Sequence, residues 1–139
     1  MVDQEIVRSK VTRIQYHLQR VQTRQPLSAT QLQASEDLRD IVLHNLQHAI
    51  QGSLDLASHL VADARWEIPA TQAELFQRLS DHRVLSLDLA TRMKKMVGFR
   101  NLIVHEYIKI KLEMVIEVLN QSTKDLDQFC REVIRYAGI

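Results

Sequence analysis

Apolar residues recur at steps of three and four along most of the chain, which is the period of an amphipathic α-helix. A first helical stretch runs from Val2 to Arg24, and a longer one runs from Ala29 to about Arg65. Pro26 separates the two, and Ser28 is a suitable N-cap for the second. Gly52 lies inside the longer stretch, but one interior glycine costs only about 1 kcal/mol, so we expect the helix to continue through it.

Three further helices are predicted after Pro69, which ends the long stretch. They are a short helix at about Thr71 to Ser80, a helix from about Leu87 to Asn101, and a last one from about Leu112 to Ala137. Residues 81–86 form a loop between the first two. Long helices joined by short connections predict an all-α antiparallel bundle of four long helices and one short one, folded as a single domain over residues 1–139.

The composition agrees with a helical protein of the reducing cytoplasm. The chain has only 3 glycines and 2 prolines among 139 residues, far too few for the turns of a β-sandwich or barrel. Its single cysteine, Cys130, has no partner for an internal disulfide, and we expect it to be a buried thiol. No apolar run reaches the roughly eighteen residues of a membrane span, and the first residues do not resemble a signal peptide.

Charge is distributed unevenly, although the net charge of +1 says little by itself. Between residues 92 and 111 one acidic residue, Glu106, stands against six cations: Arg92, Lys94, Lys95, Arg100, Lys109 and Lys111. Such a segment is typical of a surface that binds a polyanion, for which Lys94 and Lys95 are candidate contacts. The alternative is a solvated helix face whose cations are balanced by acidic residues from elsewhere in the fold.

The segment FRNLIVHEY, which begins at Phe99, carries the candidate chemistry. On an unbroken helix Arg100 and His105 lie about 140° apart and diverge, whereas Asn101 and His105 share a face. For Arg100 and His105 to act on one phosphate, either the helix loosens near Val104 or the two groups converge across two chains. A site built on this segment therefore belongs at a helix end or at a subunit boundary.

Arginine and histidine suit phosphate chemistry. An imidazole with a pKa near 6.5 exchanges protons at neutral pH, and a guanidinium binds phosphate with two hydrogen bonds. The alternative for Arg100 is structural, because an unpaired buried charge costs several kcal/mol: it would pair with an acidic residue such as Asp55, or extend its charged end to water. Gly98 indicates either a close helix contact at a two-fold axis or simple tolerance of glycine.

These residues resemble the HEPN superfamily, whose signature is an arginine, a polar residue, and a histidine four to six positions after the arginine. Arg100, Asn101 and His105 fit it, and the extension to Tyr107 is similar to the HepT branch, the toxins of bacterial toxin–antitoxin pairs. The resemblance covers about Leu38 to Tyr136. Three further segments carry it: Asn45–Ile50, Leu54–Leu60 and Lys95–Asn101.

The resemblance implies a homodimer whose two motifs face each other across a cleft and cleave RNA without a metal or other cofactor. Arg100 would bind the scissile phosphate, His105 would act as acid and base, and Asn101 would orient the histidine or the substrate.

The resemblance also implies a type VII antitoxin, an MNT-type nucleotidyltransferase that in some members attaches AMP to the motif tyrosine, here Tyr107. A phosphate added there would occupy the anion site beside Arg100 and His105. The alternative for Tyr107 is an aromatic residue that closes the helix end.

Two other functions remain open from the sequence: a non-catalytic HEPN module that binds nucleotide or presents substrate to a nucleotidyltransferase, and a purely helical adaptor. Lys111 departs from the family pattern, since a cation at the start of the last helix offers no capping acceptor. His44 and His48 share a helix face but lack further ligands, so we expect no metal site. His17 and His82 are expected to be ordinary surface or loop residues.

Overall fold

The structure is a computed structural model that describes residues 2–139, and within these residues it is all-helical without a β-strand. Six α-helices and one 3-10 turn follow in order: α1 (Gln4–Gln22), α2 (Ala29–Ala34), α3 (Glu36–Asp63), α4 (Glu74–Asp81), α5 (Leu87–His105), the 3-10 turn (Tyr107–Lys109) and α6 (Leu112–Ala137). The all-α prediction is confirmed. None of the helices in this part of the chain is long and apolar enough to cross a membrane.

The prediction of one helix from Ala29 to Arg65 is wrong at its N-terminal end. Ser28 caps α2 as predicted, in a reciprocal capping box with Gln31. Ser35 then leaves the helical conformation (φ −132°, ψ 105°), and its hydroxyl accepts a hydrogen bond from the backbone N–H of Leu38 at 3.1 Å. A serine side chain that binds the backbone ahead of it starts a new helix, so the chain has one short helix more than predicted.

Further helix boundaries differ from the prediction, and one of them, the end of α5, lies at the candidate motif. The helix that was expected to end at Asn101 continues to His105, and α4 begins at Glu74, three residues later than Thr71. The start of α6 at Leu112 agrees with the prediction, and Lys111 is its N-cap without a side-chain hydrogen bond.

The hydrophobic core lies where α1, α3 and α6 meet and where α5 packs on α4 and α6. The inner face of α1 is buried over its whole length through Val7, Val11, Ile14, Leu18 and Val21. Phe76 of α4 meets Phe129 of α6 edge-on, with ring centroids 5.8 Å apart. Met93 and Met96 are buried, as expected of core residues.

Glycine has different roles at its two interior helical positions. A Cβ at Gly52 would lie 2.8 Å from Cγ1 of Ile14, so the absence of a side chain allows α1 to pack closely on α3. At Gly98 an added Cβ would meet no heavy atom of residues 2–139 within 4 Å. From the sequence we expected only that the helix would tolerate a glycine at position 52, but this glycine has a packing role. At Gly98 the single chain shows no steric need for glycine, so there the helix simply tolerates it.

Polar side chains anchor α6 to the start of α5. Glu132, 8% exposed, accepts a hydrogen bond from the backbone N–H of Ser86, the N-cap of α5, at 2.8 Å. Asp125, 3% exposed, accepts one from Nε of Arg92 at 2.8 Å. On the same helix Cys130 is buried, as expected, and burial raises the pKa of its thiol to about 12.

Candidate functional site

The candidate site lies at the C-terminal end of α5. The helix is continuous from Leu87 to His105 and ends at Glu106 (φ −140°, ψ 47°), whose N–H still donates to the carbonyl of Leu102 at 2.9 Å. The helix therefore does not loosen near Val104, and the first of the two predicted geometries is wrong. Within one protomer Arg100 and His105 diverge by about 140°.

Arg100 is half-buried, and no carboxylate of residues 2–139 pairs with its charge. Its Nη1 donates to Oδ1 of Asn101 at 2.8 Å, and its Nη2 donates to Oε1 of Gln51 on α3. Nε is buried and has no hydrogen-bond partner among residues 2–139. The direct pair with Asp55 is absent, because Gln51 stands between them and donates to Asp55 at 3.0 Å. None of the ion pairs formed within the described residues includes Arg100.

His105 and Asn101 are both exposed on the last turns of α5. Asn101 accepts its hydrogen bond from Arg100 and lies on the same helix face as His105. The imidazole of His105 forms no hydrogen bond within the part of the chain that the structure describes. It is thus accessible for proton exchange with a ligand at the helix end.

Tyr107 opens the 3-10 turn that follows α5. Its hydroxyl donates to Oδ1 of Asp40 on α3 at 2.7 Å. Burial, and next the neighbouring carboxylate of Asp40, raise the pKa of Tyr107. The side chain is still 44% exposed, and the next residue, Ile108, is 98% exposed. The phenol is therefore neutral at physiological pH, anchored at its oxygen and open to a partner.

The cationic segment around the motif is smaller than its sequence suggests. Arg92 is held by Asp88 and Asp125, and hydrogen bonds to these two carboxylates raise its pKa. Lys109 pairs with Glu106 at 2.9 Å. The sequence left open that acidic residues from elsewhere in the fold balance these cations. For Arg92 this interpretation is correct.

The two lysines proposed as polyanion contacts have different surroundings. Lys94 is half-buried and donates to Oε1 of Gln77 on α4 at 2.9 Å, whereas Lys95 is exposed. By helical rotation, neither lies on the face of α5 that carries Arg100.

A family model for HepT-like ribonucleases matches residues 14–133. The chain belongs to this family. The HEPN resemblance drawn from the motif is thereby confirmed, and the match begins within α1, which the motif-based resemblance did not cover.

Individual proteins similar to this HepT-like chain carry related names. The mRNA nuclease HepT of Shewanella oneidensis is 29% identical over 125 residues, which cover 90% of this chain and 93% of the relative. The tRNA nuclease HepT of Aphanizomenon flos-aquae is 22% identical over 135 residues, 97% of this chain and 92% of the relative. A solved structure, the tri-AMPylated HEPN toxin of Shewanella oneidensis in complex with MNT antitoxin, superposes with a TM-score of 0.85 at 28% identity, over 97% of this chain and 99% of that one.

Three histidines of this HepT-like chain form a cluster that sequence reasoning missed. The ring of His17 on α1 stacks on His48 of α3 at 5.1 Å between centroids, and His44 lies 4.3 Å from His48. Burial, and then the positive groups of His44, His17 and Arg13, lower the pKa of His48. The His44–His48 spacing was visible in the sequence, but the third ring comes from another helix. Within residues 2–139 no group of three or more His, Cys, Asp or Glu is arranged to hold a metal ion.

His17 is therefore not the ordinary surface or loop residue that was expected, whereas His82 is exposed in the turn after α4, as expected. His17 is half-buried, and its Nδ1 lies 2.9 Å from Oδ1 of Asn45, which is itself 2% exposed. His82 stacks face to face on Trp66, with centroids 3.9 Å apart and an interplanar angle of 3°.

Proposed function

We propose that this chain is a metal-independent endoribonuclease toxin of a bacterial type VII toxin–antitoxin system, active in the cytoplasm. The observation that supports this most strongly is the half-buried guanidinium of Arg100, which has no carboxylate partner within residues 2–139 and lies beside Asn101 on the helix end that carries His105. A half-buried cation without a counter-ion is costly, and a phosphodiester would supply the missing charge.

RNA brings its own nucleophile, so two side chains suffice for the chemistry. The 2′-oxygen attacks the adjacent phosphorus and loses its proton, while the bond from phosphorus to the 5′-oxygen breaks and that oxygen gains a proton. His105 exchanges these protons, and Arg100 stabilises the charge that develops on the phosphate. Asn101 orients the histidine or the substrate, and Lys94 and Lys95 contact the RNA strand.

The site is completed by a second copy of the chain. Arg100 and His105 diverge on one continuous α5, so one phosphate can meet both groups only if His105 comes from one protomer and Arg100 from the other. Exposed apolar side chains border the motif, with Val104 at 45% and Ile108 at 98% exposure. Contact between two copies would cover this surface, which supports a homodimer with two-fold symmetry.

The partner that neutralises the chain is an MNT-type nucleotidyltransferase antitoxin. Oη of Tyr107 attacks the α-phosphorus of ATP, a new phosphorus–oxygen bond forms, pyrophosphate leaves and the phenolic proton is released. The product carries a phosphodiester near Arg100 and His105, where it competes with the RNA phosphate. Two observations support this step: the half-exposed side chain of Tyr107, and the solved relative that is AMPylated and bound to its MNT antitoxin.

Cleavage by the purified protein in EDTA tests the catalytic assignment. Arg100→Ala and His105→Ala should each lower the rate on single-stranded RNA by a factor of about 100 or more, the size of a lost acid–base or electrostatic contribution. Arg8→Ala, which removes an exposed arginine from α1, is the matched control and should cleave like the parent. Circular dichroism and gel filtration should show the same helical dimer for all variants. Full activity in either motif variant would exclude the proposed roles.

Mass spectrometry tests the neutralisation step. Co-expression with the antitoxin should add one or more AMP units to the parent and none to Tyr107→Phe. An unmodified mass under neutralising conditions would exclude AMP transfer as the mechanism.

A non-catalytic HEPN module that binds nucleotide is the second candidate, favoured by the divergence of Arg100 and His105 within one protomer. RNA binding without cleavage in EDTA would favour this function over the nuclease.

A further inference from the structure

An open cavity of about 530 Å³ lies between α1 and α3, beside Tyr107. Five of the side chains in its wall matter here: Tyr16, His17, Arg20, Asp40 and His44. Asp40 is shared, because it belongs to the wall and also accepts the hydrogen bond of the Tyr107 hydroxyl. The cavity therefore begins next to Tyr107, at the 3-10 turn that follows α5.

Flat rings and a guanidinium border this cavity. Tyr16 is 57% exposed and meets His17 edge-on, with ring centroids 5.1 Å apart. The guanidinium carbon of Arg20 lies 5.9 Å from the centre of the Tyr16 ring. Exposed aromatic rings combined with arginine are the groups on which proteins stack the unpaired bases of single-stranded RNA.

Hydrogen bonds around the cavity leave it rich in acceptors. The amide nitrogen of Asn45 donates to the carbonyl of Ile41 at 2.8 Å, so its Oδ1 faces His17 and accepts the proton on Nδ1 of that ring. Asp40 uses Oδ1 for Tyr107 and retains Oδ2 as an acceptor. Adenine, cytosine and guanine offer an exocyclic amino group to such an acceptor, whereas uracil has none.

We propose that this cavity binds one unpaired nucleotide with an amino-bearing base (adenine, cytosine or guanine) of the RNA strand that is cleaved at Arg100 and His105, an inference that rests on the proposed ribonuclease function. The base stacks on Tyr16, its amino group donates to Asp40, and Arg20 contacts the adjoining phosphate. Asp40 and Gln51, the partner of Arg100, are separated along α3 by about 16 Å at 1.5 Å per residue. That distance corresponds to about five nucleotides stacked at roughly 3.4 Å per step.

The test measures binding of labelled single-stranded RNA by fluorescence anisotropy, in EDTA and in a His105→Ala background so that the RNA stays intact. Tyr16→Ala should weaken binding of an oligoadenylate decamer by about 5- to 150-fold, the range for one lost stacking partner. Binding of a trimer, which is too short to reach from Arg100 to the cavity, should not change. Tyr16→Phe keeps the ring and should bind the decamer like the parent, as should Tyr136→Ala, which removes a 37% exposed tyrosine of α6. Oligouridylate should bind more weakly than oligoadenylate.

Each contrary result overturns the proposal. Unchanged decamer binding by Tyr16→Ala, or an equal loss with the trimer, would exclude stacking in the cavity. An effect of Tyr16→Ala that appears only in AMP-modified protein would assign the cavity to the adenosine on Tyr107 instead of to RNA. If the unsubstituted protein cleaves RNA while Tyr16→Ala in the His105→Ala background binds the decamer normally, only this inference fails. If the parent neither binds nor cleaves RNA, the proposed function fails with it.

Discussion

The two glycines inside long helices allow one prediction to be made quantitatively, because the same substitution should have opposite effects. Replacing a helical glycine with alanine gains about 1 kcal/mol of helix propensity. Gly98→Ala should realise this gain in full, because nothing in residues 2–139 lies within 4 Å of the new methyl group. At Gly52 the methyl carbon would lie 2.8 Å from Cγ1 of Ile14, well inside the roughly 3.5–4.0 Å of an optimal carbon contact.

Overpacking of this kind costs about 1–3 kcal/mol, so Gly52→Ala should lower the free energy of unfolding by up to about 2 kcal/mol after the propensity gain is subtracted. Equilibrium urea unfolding followed by circular dichroism measures both variants. With a slope of about 1–3 kcal/mol per molar, a 1 kcal/mol change moves the midpoint by roughly 0.3–1 M. A Gly52→Ala protein that is more stable than the parent by about 1 kcal/mol, as expected for Gly98→Ala, would refute the close packing of α1 on α3. Repeating the urea unfolding of Gly98→Ala at two protein concentrations tests whether Gly98 contacts a second copy of the chain. If it does, the destabilising effect of the substitution should become larger on dilution.

Three further predictions concern ionisable groups. Asp125→Asn weakens the buried partner of Arg92 and should lower the free energy of unfolding by about 1–3 kcal/mol; unchanged urea unfolding would show that the pair does not stabilise the fold. The lowered pKa of His48 means that its contribution to stability is present above the unfolded-state value of about 6.5 and is lost as the pH falls through the folded-state pKa. His48→Asn should therefore reduce the drop in Tm between about pH 7 and pH 5, and an equal drop in both proteins would contradict this. Asp40→Asn should partly lower the raised pKa of Tyr107, because burial is the larger cause and persists; ultraviolet titration against a Tyr107→Phe blank gives the value, and an unmoved pKa would exclude an effect of the carboxylate.

The long helices were predictable because their 3.6-residue period repeats over many turns. The break at Ser35 was missed because the apolar period continues across it, from Leu32 to Leu38. A local signal was present, since Ser35 is followed by Glu36 and Asp37, and acidic residues after a serine are typical of a helix start. Periodicity reports which residues face the core, whereas capping decides where a helix begins.

The motif residues were found from their spacing, but their partners were not. Gln51 beside Arg100 and Asp40 beside Tyr107 both depend on how α3 is positioned against α5 and the turn that follows it. That register is set by packing across the whole bundle and leaves no local pattern in the sequence. The proposed link from Arg100 to Asp55 failed for the same reason: the intervening amide of Gln51 is one turn away on α3.

The buried thiol of Cys130 makes this protein convenient for spectroscopy. With a pKa of about 12 and almost no exposure, it is hardly ever a thiolate and should resist alkylating reagents at neutral pH. A spin label or fluorophore can therefore be attached to one introduced cysteine, for example at Asn120 on the exposed side of α6, without removing the natural one. Double electron–electron resonance between identical labels would then show whether two copies of the chain associate and, if they do, how far apart the labels lie.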